Sequence, residues 1–162
     1  MDGRSAHDAR SRMRASGSMD TSIADMGRLA ASSVRGDGMS AAARAELIQW
    51  QLTIATGSQF PSRQPPPASP PFQALGAGLG VIAFKGPQGA GFVKGGHKDS
   101  TVNMGVCMGA GKRCVVILSS DVRAEPAFPA LVRSVLGQIG LPRAWEHGGM
   151  PFGYPACSFA LG

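Results

Sequence analysis

Charge is scarce in this chain: Asp, Glu, Lys and Arg make up 16% of its 162 residues, against 23 glycines and 12 prolines. That balance argues against an all-helical bundle and for a chain rich in turns and long loops. No stretch approaches the roughly 20 apolar residues of a membrane span. The start, Met1-Asp2-Gly3-Arg4, runs on in polar residues without the apolar core of a secretory signal. These residues carry no export or anchoring signal, so the cytoplasm is the default compartment. Cys107, Cys114 and Cys157 match no Cys-x-x-Cys or Cys/His zinc spacing, and an odd number closes no complete disulfide set. Neither a metal nor an organic cofactor is expected.

The common catalytic signatures are missing as well. There is no Gly-x-Ser-x-Gly elbow and no His-Glu-x-x-His. Gly109-Ala110-Gly111-Lys112-Arg113 lacks the upstream glycine and the Ser/Thr of a phosphate loop, and it joins two strands rather than leading into a helix. Gly76, Gly78 and Gly80 precede a strand, which removes the helix that a dinucleotide fingerprint needs.

What is present fits one globular domain, with 43% hydrophobic residues and a net charge of +6. The densest basic patch is Arg4, Arg10, Arg12 and Arg14, with no aromatic residue between them to stack on bases, so a solvated arm over residues 1–17 is preferred to a nucleic-acid contact. Ser22 and Asp25 form a capping box for a helix whose stripe is Ile23, Met26, Leu29, Ala30 and Val34 and which stops at Gly36-Asp37-Gly38. Ser40 caps a second helix, with Ala43, Leu47, Ile48 and then Gln51 or Leu52 carrying its stripe to about Thr53. Residues 60–72 hold six of the twelve prolines and read as an extended surface loop.

The second half changes period. Leu79 to Phe84, Gly91 to His97, Val102 to Met108 and Cys114 to Ser119 are short β-favouring runs, joined by turns at Gly86-Pro87-Gln88-Gly89, Lys98-Asp99-Ser100 and Gly109 to Lys112. The expectation is a four-stranded antiparallel meander. Its last run is continuously apolar, as suits a strand covered on both faces. Cys107 and Cys114 flank a turn and could face each other across the hairpin, but two small buried hydrophobes is the preferred reading. Phe128, Leu131, Val132, Val135 and Leu136 give a C-terminal helix that ends at Gly137 and packs on the sheet. Residues 148–162 have no period. The fold class is therefore α+β: two helices, a proline-rich loop, the meander and a backing helix.

The chemistry-bearing stretch is Lys94-Gly95-Gly96-His97-Lys98-Asp99-Ser100, on an inner strand. Two adjacent glycines cost a strand packing and mark close approach by a ligand or another backbone, and a cation and an imidazole beside them supply electrostatics and proton transfer. The plainer reading is a glycine bulge beside a surface lysine and a satisfied histidine.

Lys94-Gly95-Gly96 resembles the Lys-Thr/Ser-Gly motif on the active-site strand of β-lactamases and penicillin-binding proteins. Gly17 to Met26 is similar to a helix entry of the β-lactamase-related esterases and peptidases, and Gly38-Met39-Ser40 to the Gly-Leu-Ser turn that follows it there. Arg113 to Asp121 and Phe128 to Leu136 resemble the family's later strand and terminal helix. The resemblance covers about residues 15–147, within a domain portion taken as 18–147.

The resemblance implies an acyl-serine hydrolase of esters, amides or lactams, with exported full-length relatives in the periplasm or medium. Lys94 would hold the site's electrostatics or a substrate carboxylate, and the His97 backbone N–H would contribute to an oxyanion hole. Gly95, Gly96, Asp99 and Ser100 would line the substrate. Gly95 replaces the family's hydroxyl residue, which favours an esterase- or peptidase-like relative. None of Lys85, Lys94, Lys98 and Lys112 has a serine three residues earlier, so the Ser-x-x-Lys nucleophile is missing, and Tyr154, the one tyrosine, offers no second motif. The expectation is a truncated, inactive portion of such an enzyme. The rival is a non-catalytic binding protein that self-associates through an exposed sheet face.

Overall fold

The computed structural model describes residues 20–54, 75–98 and 100–141. The basic arm, the proline-rich loop, the C-terminal tail and Asp99 lie outside the described residues.

The chain opens with α1 (Ile23–Arg35). Ser22 caps it: the Asp25 N–H donates to Ser22 Oγ at 3.1 Å, and Ser22 Oγ donates back to the Asp25 carboxylate at 2.8 Å. Gly36 ends it in the left-handed region, φ 80°, with its N–H on the Ser32 carbonyl. α2 (Ala41–Ile48) starts on Ser40, whose Oγ accepts from the Ala43 N–H. It does not reach Thr53. The chain turns extended at Gln49, and β1 (Leu52–Thr53) joins the sheet instead.

Six strands, not four, form an antiparallel sheet in sequence order: β1, β2 (Leu75–Ala77), β3 (Ile82–Gly86), β4 (Gly89–His97), β5 (Val102–Met108) and β6 (Arg113–Ser119). Leu79 and Gly80, expected in β3, belong to the preceding turn, which the Gly78 N–H closes on the Val81 carbonyl and Gly80 enters with φ 77°. Pro87 and Gln88 make the two-residue β3–β4 connection. Lys98 N–H donates to Thr101 O at 2.8 Å across the β4–β5 turn.

Alternation along the strands sorts side chains onto two faces. Leu75, Phe84, Val93, Val102, Met104, Val106 and Met108 point one way, and the helix α3 (Phe128–Leu136) covers them with Phe128, Val132 and Leu136. Its Leu131 and Val135 are exposed, so the buried stripe runs at intervals of four and is narrower than the sequence stripe. Gln88 pins the end of α3: its Nε2 donates to the Leu136 and Gln138 carbonyls, and its Oε1 accepts from Arg113. The chain then lays Ile139, 4% exposed, against the β3–β4 hairpin at Gly86, which has no side chain to obstruct it.

The opposite face carries α1 against β6 at one side and Trp50 at the other. Trp50 lies flat over β2 because position 76 is glycine; a Cβ there would overlap the indole. β6 is half-buried along most of its length, as its continuous apolar run requires, although it is the last strand of the sheet. Cys107 and Cys114, directly opposite across β5 and β6, form a disulfide, with Cα atoms 4.2 Å apart. This corrects the reading of two separate apolar cysteines: an odd total does not prevent one pair from closing where register sets it face to face. Among the described residues no helix is long and apolar enough to cross a membrane.

Candidate functional site

The glycine-rich stretch falls where the sequence placed it, on β4 between β3 and β5. Its two reacting candidates part company there. Lys94 and His97 are three residues apart, and on a strand an odd interval sends side chains to opposite faces. Lys94 is exposed on the α1 side; His97 points to the α3 side, in the last row with Val102 and Ser119. A single cleft therefore cannot use both side chains.

On the α3 side His97 meets Glu125 of the 3-10 helix Val122–Ala127, with Nε2 3.6 Å from the carboxylate and side chains 14% and 18% exposed. The segment is anchored beside it by Asp121, whose N–H donates to Ser119 Oγ while that hydroxyl donates to the Asp121 carbonyl. Val122 N–H reaches the Ser100 carbonyl at 3.2 Å. The Ser100 side chain is exposed and its backbone thus serves to join the β4–β5 turn to the 3-10 helix. Arg123 grips Asp121 by charge-assisted hydrogen bonds, through its guanidinium first and its backbone N–H second, and holds that carboxyl at about 2, below its usual range.

On the α1 side Lys94 stands exposed above the sheet. Its cross-strand partner is Gly105, beyond which lies Val116 on β6. Along the same face of β4 come Phe92 and Gly96, and Gly96 faces Asn103. The Asn103 amide folds across Gly96 and occupies the space a Cβ would take, at 2.7 Å. Lys94 is thus bordered by bare backbone at Gly105 and, at Gly96, by the Asn103 amide that covers it. An ammonium, an amide and a glycine floor can hold a carboxylate and the polar edge of an acyl group close to the strand.

The backbone of β4 is arranged differently along its length. β3 begins at Ile82, the partner of Val93, so it does not run alongside the rest of β4, which continues to His97. Gly109 N–H bonds to the Ala90 carbonyl, which fixes the hydrogen-bonded pairs between β4 and β5 at Phe92, Lys94 and Gly96. Gly95 and His97 therefore direct their N–H groups away from β5, to the side that β3 does not reach.

Asn103 and Glu125 were not singled out from sequence. Asn103 was accessible in principle, since it lies opposite Gly96 once the turn is closed at Lys98 to Thr101; Glu125 has no local signal, because only the return of the chain past β6 brings it to His97. Among the described residues no group of three or more His, Cys, Asp or Glu side chains could hold a metal ion. Compared with family models, with curated protein sequences and with solved structures, the chain matches none.

Proposed function

We propose that this chain carries the substrate-holding sheet of a serine hydrolase of the β-lactamase and penicillin-binding-protein type, and that it does not carry out acyl transfer by itself. The observation that carries this reading is Lys94: an exposed ammonium on an interior strand, with Gly105 as its bare neighbour across the strand and the Asn103 amide, laid over Gly96, beside it. Such a setting suits the carboxylate of an ester, amide or lactam substrate. The β4 backbone beyond Val93 is the stretch where an N–H could meet a developing oxyanion. The nucleophile and its base come from elsewhere, since no lysine here follows a serine by three positions and the His97 imidazole faces the other way.

A titration followed by amide resonances tests this. A lactam bearing a free carboxylate should shift Lys94 to His97, Asn103 and Gly105 saturably, its methyl ester should bind at least tenfold more weakly, and Lys94→Met should remove the difference. Intact mass should show no acyl adduct. A stable adduct on a serine of this chain would overturn the claim that it lacks a nucleophile, and absence of shifts on this face would overturn the substrate reading.

A second reading, self-association without catalysis, is favoured by the exposed apolar residues Leu131 and Val135 on α3 and Ile23 and Leu29 on α1. Sedimentation that gives concentration-dependent oligomers, together with no lactam response, would select it.

A further inference from the structure

A second concave feature lies at the other end of the same face, against the β3–β4 hairpin. It is a half-open cavity of about 320 Å³ between the chain leaving α2 and the hairpin, lined by Ile48, Gln49, Trp50, Ala83, Lys85 and Ala90 among others. Its lining is mainly apolar, with one ammonium, Lys85, and one amide side chain, Gln49. Lys85 Nζ stands 5.1 Å from the centroid of the Trp50 ring. A cation over an indole face is only weakly held in place where water has access. Among the described residues the Lys85 ammonium has no carboxylate partner.

We propose that this cavity binds a small monocarboxylate with a compact apolar body. The carboxylate pairs with Lys85, and the body rests on the Trp50 ring and against Ile48 and Ala83. Three features select this class. The volume lies at the small end of ligand pockets, which run from about 300 to 1,000 Å³, so the body is short. The single cation neutralises one negative charge, which disfavours phosphate esters and other dianions. The walls offer no further charge and a single amide, Gln49, so a polyhydroxyl body such as a sugar would lose more hydration than the lining replaces. The indole can form the floor because Gly76 lets it lie flat on β2. The site is separate from Lys94: Ala90 and Lys94 are four residues apart on β4, about 13 Å along a strand, with Phe92 between them on that face.

The test uses the full chain with Trp145→Phe, which leaves Trp50 as the reporting indole of the two tryptophans. Hexanoate and phenylacetate are titrated beside hexanamide, phenylacetamide and inorganic phosphate, with Trp50 emission and amide resonances as readouts. The acids should give saturable changes confined to Ile48 to Trp50 and Ala83 to Ala90, and should bind at least tenfold more tightly than their amides. Lys85→Met, a swap at an exposed strand position, should erase that preference while leaving amide binding unchanged, and Lys94→Met should leave both alone. Equal binding of acid and amide, phosphate binding as tight as hexanoate, or an unchanged preference in Lys85→Met would each overturn the proposal. Shifts centred on Lys94 would overturn it too, while supporting the carboxylate site proposed there.

Discussion

Replacing Gly86 by alanine tests how the C-terminal segment closes the sheet. Gly86 is the last residue of β3, and a Cβ on it would overlap the carbonyl oxygen of Ile139. That oxygen belongs to the backbone and cannot rotate away as a side chain would. Either the hairpin deforms or the 139–140 segment lifts, and lifting brings Ile139 out of the core, where it is 4% exposed. Full burial of an isoleucine side chain is worth about 1.5–3 kcal/mol, and forcing an extra methyl into packed structure costs about 1–3 kcal/mol. The expected loss is about 2–3 kcal/mol, which at a urea slope of about 2 kcal/mol per molar moves the unfolding midpoint down by roughly 1 M. Gly80→Ala gives the contrasting case. Unlike Gly86 it bears a positive φ, 77°, and nothing lies within 4 Å of its would-be Cβ. Only backbone strain remains there, about 1–2 kcal/mol. A Gly86→Ala protein no less stable than Gly80→Ala would refute the packing of Ile139 on the hairpin.

The Cys107–Cys114 disulfide closes a short loop, with a sequence separation of 7; chain-entropy arithmetic for such a loop gives about 2.5 kcal/mol, so reduction should lower the urea midpoint by about 1 M, and peptide mapping that finds both thiols free in the oxidised protein would refute the pairing. Gly76→Ala should displace Trp50 and destabilise by about 1–3 kcal/mol, but should cost under about 0.5 kcal/mol when Trp50→Ala is already present; equal cost in both backgrounds would refute the stacking of the indole on β2. Asp121, lowered from 3.8 to about 2 by Arg123, favours its charged form in the folded chain. Its contribution is therefore present above the unfolded value of 3.8 and is lost as pH falls through about 2. Carboxyl NMR should give that low midpoint, rising towards 3.8 in Arg123→Met; a midpoint already near 3.8 in the parent would refute the grip.

Local grammar was legible and long-range closure was not. Ser22 with Asp25, Ser40, and the glycines at 36 and 137 marked helix ends because caps and left-handed turns act within a few residues. β5 was readable to the residue because turns bound it on both sides. β1 and β2 were missed for opposite reasons. Leu52 and Thr53 continued the stripe of α2, and only pairing with Ala77 and Gly76 makes them a strand. Leu75–Ala77 is too short to show a period of two. The disulfide followed from register rather than spacing, since a change of one residue in the turn would have put the sulfurs on opposite faces.

The same period of two constrains the proposed chemistry most strongly. A row such as Lys94-Gly95-Gly96-His97 looks like one constellation in print, yet its ends serve different faces of the sheet. His97 is committed to the α3 side, where Glu125 of the 3-10 helix meets it. Its imidazole thus belongs to the closure of the sheet end, and only its backbone N–H is directed towards the edge that β3 leaves. On the proposed reading, a nucleophile acting on a substrate held by Lys94 would approach from the face that carries α1 and Trp50 and could not use the His97 imidazole as its base.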